Sequence, residues 1–272
     1  WECNDDRCED FINRCIVSDA KRLVDRIRKE NIQKYIQAYD YEAAETMART
    51  LYIQPSDEFW GCLDIAIARN KLNLQYLNGV RKKYEVEDWF PIVRAREMEE
   101  YEYLLAMQAK LWRKQYIDFI RDVTPIYFSF SEKVLKRHGG LSFSDIGNQN
   151  MDGVWCLSIE KLRANNIKPD KRWGNYTNIS SYNILKIMQQ ACSDQKLLKL
   201  LKDIRTVERE VRNLAAHEIV GVTRSWIVRR TKFQPETIMD MLFCLAKYAG
   251  LHITAENREA YRVMNRKLQD LL

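Results

Sequence analysis

Apolar residues recur at intervals of three and four positions along most of this chain, which is the spacing of amphipathic α-helices. The pattern is clear between residues 9 and 36, and it is strongest from Leu197 to Leu214. No alternation of strands with helices is found. The sequence therefore predicts an all-α protein, in which a helical linker region is followed by a helical bundle.

Several helix ends are marked by residues that cap helices. Asp40 precedes the segment "YEAAETMARTL" as an N-cap, and Ser56 opens the next helix with two acidic residues after it. The stretch 94–121 has alternating charged and apolar faces and is predicted to be one helix. Near the C-terminus, Pro235 and Gly250 mark the start and the end of another helix.

One segment interrupts the helical pattern. Residues 138–155 hold four of the nine glycines, with a predicted short β-hairpin near 141–155 at "NMDG". A second polar stretch leads into the helix that starts near Ser181. These breaks predict three parts: a helical linker domain (1–137), a loop-rich connection (138–180) and a helical core (181–272) to which preceding helices contribute.

Composition narrows the class of protein. Apolar residues make up 46% and charged residues 30%, as in ordinary globular proteins, and no run of 18 apolar residues indicates a membrane span. The acidic N-terminus does not resemble a signal peptide. Seven scattered cysteines without a CxxC pair favour a reducing, cytoplasmic environment. Because the chain does not begin with Met, we expect further sequence upstream.

The positive charge is concentrated in one segment. Between Lys196 and Lys232 the chain has ten Lys or Arg and four Asp or Glu, so this segment carries the whole formal charge of +6. A polyanion would be attracted to it. Beside the apolar stripe of the predicted helix runs a row of basic residues, the basic rail, which consists of Lys196, Lys199, Lys202, Arg205, Arg209 and Arg212.

The stretch "EVRNLAAHEIVGVT" contains one of only three histidines, His217, together with Arg212 and Asn213. A histidine can take or give a proton near neutral pH, and an arginine can hold a phosphate and stabilise charge on phosphorus. These groups suffice for RNA cleavage in which the 2′-OH of the RNA attacks the adjacent phosphate. No metal ion or cofactor is required for that reaction, and none is expected.

Helical geometry leaves two interpretations of this motif open. On an ideal helix, Arg212 and His217 would stand about 140° apart. They could converge if the helix loosened near Ala216, or if two chains each supplied a pair across a two-fold axis. Otherwise the motif is a basic helix whose histidine caps its end. Of the other histidines, His138 is expected at a helix end and His252 in a short linker.

"VRNLAAHEIVGVT" resembles the catalytic signature of HEPN ribonucleases, in which histidine follows an arginine and a polar residue. The segments "SSYNILKIM" and "YDYEAAETMARTL" are similar to the Csm-type CARF–HEPN ribonucleases of type III CRISPR systems. The resemblance identifies 181–272 as the HEPN catalytic core. It also implies that the CARF sensor domain, which binds cyclic oligoadenylate, is absent from this chain.

The resemblance further implies a homodimer with one composite cleft. That cleft would cut single-stranded RNA in antiviral defence and leave 2′,3′-cyclic phosphate ends without a metal. His217 would act as general acid or base or orient the ribose, Arg212 would bind the scissile phosphate, and Asn213 would position these groups.

Charge adds candidate RNA contacts, each of which could equally be a solvated helix face: Arg205, Arg209, Arg229, Arg230 and Lys232. Trp226 could stack a base, although core packing is the commoner role for such a residue. Two alternative functions remain: a non-catalytic RNA-binding and dimerisation module, and a HEPN toxin neutralised by an antitoxin.

Overall fold

The computed structural model describes residues 6–92, 94–217 and 221–272, and for residues 6–16, 18 and 212–217 it describes the backbone alone. The described residues form fourteen α-helices, one 3₁₀ turn and one two-stranded antiparallel sheet, which confirms the all-α prediction. They divide into two compact units. The first comprises Trp1–Pro91 with Ala255–Leu272, and the second comprises Ile92–Thr254.

The first unit is a cluster of helices around a buried arginine. Arg69 is fully buried, donates through Nη2 to the carbonyl oxygen of Trp89 at 2.7 Å, and lies between the rings of Phe90 and Tyr261. Its charge is therefore balanced by a carbonyl and two aromatic faces. The helices are α1 (Asp6–Gln37), α2 (Tyr41–Ala48), α3 (Asp57–Asn70), α4 (Leu74–Val80), α13 (Ala255–Arg258) and α14 (Ala260–Asp270), with the 3₁₀ turn at Glu87–Trp89.

The second unit is organised around one long helix, α6, which packs against α5, α9, α10 and α12. The face of α6 from Phe119 to Leu135 is apolar and buried, so removing it from water stabilises the whole unit. The helices are α5 (Ala95–Trp112), α6 (Tyr116–His138), α7 (Phe143–Ile146), α8 (Ile159–Ala164), α9 (Ser181–Ala191), α10 (Gln195–His217), α11 (Arg224–Thr231) and α12 (Pro235–Ala249).

The prediction of one helix over 94–121 was wrong. The backbone breaks between α5 and α6 at Lys114, which takes a left-handed conformation with φ 60°. The amide of Gln115 then bonds back to the carbonyl of Lys110, which closes the end of α5. Because α5 and α6 both carry apolar faces, the turn lets them pack on each other, and that burial outweighs the strain at Lys114.

The segment between α6 and α9, residues 139–180, is the connecting segment, and it contains the predicted hairpin. Strand β1 (Gly147–Gln149) pairs with β2 (Trp155–Leu157), and Asn150 closes the turn by accepting bonds from Asp152 and Val154 amides. A Cβ on Gly147 would come within 2.2 Å of the carbonyl oxygen of Cys156. Glycine is therefore required where the two strands approach.

The capping residues named from the sequence lie at helix ends. Asp40 accepts the Ala43 amide at the start of α2, and Ser56 accepts the Phe59 amide at the start of α3. Gly250 ends α12 with φ 102°. None of the helices in the described ranges is long and apolar enough to cross a membrane.

The division into 1–137, 138–180 and 181–272 stays a prediction about function. Helix α5 and all of α6 except its last residue, His138, fall within the predicted 1–137 part. Both helices nevertheless lie in the same compact unit as α9 to α12.

Candidate functional site

Helix α10 carries the predicted motif, and its position is fixed by burial. It packs against α6, α9, α11 and α12. Asp194 caps its start by accepting the amides of Lys196 and Leu197 at 2.9 and 3.1 Å. Its apolar stripe is at most 1% exposed at Leu197, Leu201, Ile204, Val207 and Val211.

Arg212, Asn213 and His217 occupy the last two turns of α10. Their side chains lie outside the described residues. The backbone remains helical through Ala216 to His217, so positions 212 and 217 are about 140° apart around the helix axis. The loosening considered near Ala216 is not present in the described backbone. Two interpretations stay open: a second chain that contributes to the site, and a basic helix whose histidine caps its end.

A buried carboxylate lies one helical turn before Arg212. Glu208 is 1% exposed, and its Oε2 accepts the hydroxyl of Ser181 at 2.6 Å and Nη1 of Arg205 at 3.1 Å. The hydroxyl belongs to the first turn of α9, so this cluster ties α9 to α10. The side chain of Arg205 is only 22% exposed, and its geometry favours a structural role over contact with RNA.

Tyr127 of α6 secures the other side of α10. It is fully buried and donates its hydroxyl to the carbonyl oxygen of Leu201 at 2.9 Å. Burial, with the nearby charge of Glu208 as a smaller cause, raises the pKa of this phenol well above its ordinary value. The hydroxyl therefore stays protonated as a hydrogen-bond donor at every physiological pH.

Four other residues of the basic rail are exposed to solvent. Lys196, Lys199, Lys202 and Arg209 lie at the surface. Arg209 forms an ion pair with the neighbouring Glu210 at 2.8 Å, with 64% of the arginine side chain exposed. An exposed pair of this kind is weak and would exchange readily for a phosphate. Arg209 thus remains available as a predicted RNA contact.

Helix α11 presents a second group of cations. Arg229, Arg230 and Lys232 are exposed, and Lys232 ends the helix in a left-handed conformation with φ 68°. Trp226 is only 7% exposed, so it packs in the core rather than offering a face to a base. The Arg230 guanidinium carbon lies 5.8 Å from the centroid of its ring. The three exposed cations stay predicted RNA contacts.

Arg224 differs from these cations because it is already bonded. Its two terminal nitrogens donate to the two carboxylate oxygens of Glu236 at 2.7 and 2.8 Å, and Nε donates to Gln234 at 3.2 Å. This bidentate pair joins α11 to the start of α12. Nothing in the sequence pattern had indicated this pairing.

The other two histidines lie where the sequence indicated. His138 is the last residue of α6, and its Nε2 lies 3.0 Å from the carbonyl oxygen of Tyr248 on α12. His252 is exposed and follows the end of α12. Neither is part of the arginine–asparagine–histidine motif, and His252 is therefore a suitable control in experiments on His217.

Sequence reasoning missed Glu208 and Ser181, which hold the helix that carries the motif. A glutamate on a basic helix facing the apolar stripe is a usable signal, since Glu208 lies four positions after Ile204 and three before Val211, on the same face as both. The partner on α9 could not be found that way, because 27 positions separate the two residues.

Two family models match this chain. The Cas_Csm6 HEPN domain matches residues 89–269, and the Csm6 6H domain, described as belonging to a CRISPR-associated protein, matches residues 18–70. The HEPN match includes all of α5 to α12 and thus Arg212, Asn213 and His217.

Two proteins are similar over most of the chain. The CRISPR system endoribonuclease Csm6 of Mycobacterium tuberculosis (strain ATCC 25618 / H37Rv) is 26% identical over 265 residues, which is 95% of this chain and 59% of that protein. The chain therefore spans about six tenths of that relative's length. Csm6 of Enterococcus italicus, bound to cyclic hexa-2′-fluoro-hexa-dAMP, shares the fold with a TM-score of 0.68 at 12% identity, over 91% of this chain and 57% of its own.

The HEPN model covers more than half of the chain, and the 6H match lies on the helices before it. The resemblance to Csm-type HEPN ribonucleases is thereby confirmed, and the chain belongs to the Cas_Csm6 HEPN domain family.

Proposed function

We propose that this chain is a metal-independent endoribonuclease that cuts single-stranded RNA in CRISPR defence. The observation that carries the proposal is the position of Arg212, Asn213 and His217. They form the family's signature at the end of a helix anchored on three sides, within the residues that the HEPN model matches.

The chemistry needs few groups because the nucleophile belongs to the substrate. The ribose 2′-oxygen forms a bond to the adjacent phosphorus while the bond from phosphorus to the 5′-oxygen breaks, which leaves a 2′,3′-cyclic phosphate and a 5′-hydroxyl. His217 moves the proton from the 2′-hydroxyl or to the leaving oxygen. Arg212 binds the phosphate oxygens as negative charge develops on them. Asn213 orients both through hydrogen bonds.

The cleft is composite, with two copies of the chain contributing to it. A straight helix separates Arg212 from His217 by about 140°, so one chain does not present both on one face. Two helices related by a two-fold axis could place the arginine of one beside the histidine of the other. A homodimer is therefore part of the proposal.

Exposed cations near the motif would hold the RNA backbone. Arg209, Arg229, Arg230 and Lys232 are accessible and would make salt-dependent contacts without base preference. Arg205 was also a candidate. Its pairing with the buried Glu208 makes it the weakest of the five.

Cyclic oligoadenylate is the proposed activator, sensed by a CARF domain outside this chain. The support is the family and the fold shared with a Csm6 that is bound to a cyclic hexa-dAMP analogue.

The proposal is tested with labelled single-stranded RNA in EDTA, using the wild-type chain, His217→Ala and the control His252→Ala. We expect the wild type and His252→Ala to give cyclic-phosphate ends, and His217→Ala to be slower by about 10²–10⁴-fold. Equal cleavage by His217→Ala would contradict the proposal.

The same assay separates the alternatives. Salt-sensitive RNA binding without product, also when the CARF-containing protein is supplied with cyclic oligoadenylate, would indicate a binding and dimerisation module. Strong cleavage that needs no activator and is lost on adding a cognate antitoxin would indicate a toxin.

A further inference from the structure

The connecting segment forms an open groove that the proposed function does not use. It has a volume of about 570 Å³ and lies between α8 and the turn that follows it. We call it the Trp173 groove. The residues that line it and carry the argument are Arg163, Lys168, Asp170, Lys171 and Trp173.

The groove has an excess of available positive charge. Arg163, Lys168 and Lys171 are exposed, and among the described residues none of them forms an ion pair. The carboxylate in the groove, Asp170, is paired with Arg172. Its Oδ1 accepts from Nε and its Oδ2 from Nη2 of the guanidinium, each at 3.3 Å. Three cations thus face the groove without a carboxylate partner.

The groove is held in shape by hydrogen bonds to its backbone. Gln190 of α9 accepts the Lys168 amide at 2.8 Å and donates to the Lys168 carbonyl at 3.1 Å. The Trp173 amide bonds to the carbonyl oxygen of Asp170 at 3.0 Å, which closes the turn. The half-buried Trp173 ring is therefore presented on a fixed turn, and a ligand would lose little entropy in ordering it.

A continuous group of cations leads from the groove to α10. Arg172 donates to the Tyr182 hydroxyl at 2.6 Å, and its guanidinium lies 5.7 Å from the ring centroid. Lys186 and Arg205 lie 5.9 Å from the same centroid. Tyr182 is thus surrounded by three cations from the connecting segment, α9 and α10. Arg172 and Arg205 are paired with Asp170 and Glu208, so among the described residues only Lys186 adds an unpaired cation between the groove and the helix that carries the motif.

We propose that the Trp173 groove binds single-stranded RNA, with phosphates on Arg163, Lys168 and Lys171 and one base stacked on Trp173. Cations that follow a backbone, combined with an aromatic surface, are how proteins bind single strands without base preference. The identity of the strand as substrate rests on the proposed function. The groove would hold the strand at a distance from the cut, so it would govern affinity rather than the chemical step.

Binding is measured without cleavage, so the groove and the catalytic proposal can fail separately. Labelled single-stranded RNA of about 20 nucleotides is titrated by fluorescence anisotropy in the His217→Ala background at several salt concentrations. Lys168→Glu with Lys171→Glu should weaken binding at least tenfold and reduce the salt slope by about 1.4, which is two phosphate contacts. The control is Lys82→Glu with Lys83→Glu, the same charge change in the first unit, and it should leave binding within twofold.

Trp173 tests the stacking separately from the charge. Trp173→Ala should weaken RNA binding about tenfold, as the loss of one stacked base does. Trp173→Phe keeps an aromatic face and should bind within a few-fold of the parent, and it also covers the case in which the alanine variant does not fold. The folded content of each variant is checked by circular dichroism.

Three outcomes would overturn the proposal. The first is that the groove variants bind RNA as well as the Lys82 and Lys83 control. The second is that the groove variants no longer bind cyclic hexa-adenylate but still bind linear oligoadenylate, which would make the groove an activator site. The third is that polyglutamate competes as well as RNA and the Trp173 variants bind normally, which would indicate an acidic protein partner.

Discussion

The basic surface formed by α10 and α11 and the Trp173 groove are both rich in Lys and Arg, but they differ in how the charges are balanced. On α10, Arg205 is held by the buried Glu208, and on α11, Arg224 is held by Glu236. In the groove, Arg163, Lys168 and Lys171 form no ion pair among the described residues. Local charge density therefore does not indicate which cations are free to bind RNA. The carboxylates nearby decide it.

The largest effect should come from breaking the buried pair. Glu208→Ala leaves the largely buried Arg205 and the Ser181 hydroxyl without their carboxylate and should lower the free energy of unfolding by about 3 kcal/mol. Glu236→Ala, which removes the partner of the exposed Arg224, should cost less than about 1 kcal/mol. Urea unfolding of both variants measures this. Equal losses would mean that burial does not distinguish the two arginines.

The next effect separates free from paired cations on one helix. Arg229→Gln with Arg230→Gln should reduce the salt slope of RNA binding by about 1.4, because two exposed cations lose their phosphates. Arg209 bonds only one oxygen of Glu210, whereas Arg224 bonds both oxygens of Glu236 and also Gln234. Arg224→Gln therefore removes a cation that is firmly paired, and it should change the salt slope by well under about 0.7, the value of one phosphate contact. If Arg224→Gln had the larger effect, pairing would not control availability.

The smallest effect concerns pH. The Arg172 side chain, with its backbone amide as a second donor, lowers the pKa of Asp170. The stability that this ionised carboxylate contributes is present above its ordinary pKa of about 4 and is lost only as pH falls through the lower folded value. RNA affinity of the groove should thus be flat between about pH 6 and 8, while cleavage, which needs a histidine, changes over that range. Parallel pH profiles of binding and cleavage would contradict this separation.

Part of the fold could be predicted because its signals are local. Asp40, Ser56 and Gly250 act within one helical turn, and the apolar stripe of α10 repeats along the chain. The turn at Lys114 could not be predicted, since it contains no glycine or proline and is imposed by the packing of α5 on α6.

The candidate site, too, could be predicted only where its residues are close together in the sequence. The motif from Arg212 to His217 is contiguous, and so it was visible in the sequence. The Ser181–Glu208 bond joins two helices, and the Trp173 groove combines Arg163 with residues from the following turn. The run "KPDKRW", with three cations and an aromatic residue, is the only local sequence signal for the groove, and its pattern was assigned only to the polar stretch before Ser181.

The measurement that tests the central claim most directly is cleavage by a mixture of two inactive variants. Arg212→Ala and His217→Ala are tagged differently, mixed and assayed on labelled RNA in EDTA, and heterodimers are quantified by mass spectrometry. Each variant alone should be slower than the wild type by at least about a hundredfold. The mixture should recover cleavage in proportion to the heterodimer, because one cleft then receives an intact arginine from one chain and an intact histidine from the other. Heterodimers that remain as inactive as either variant, beside an active wild type, would contradict the composite cleft.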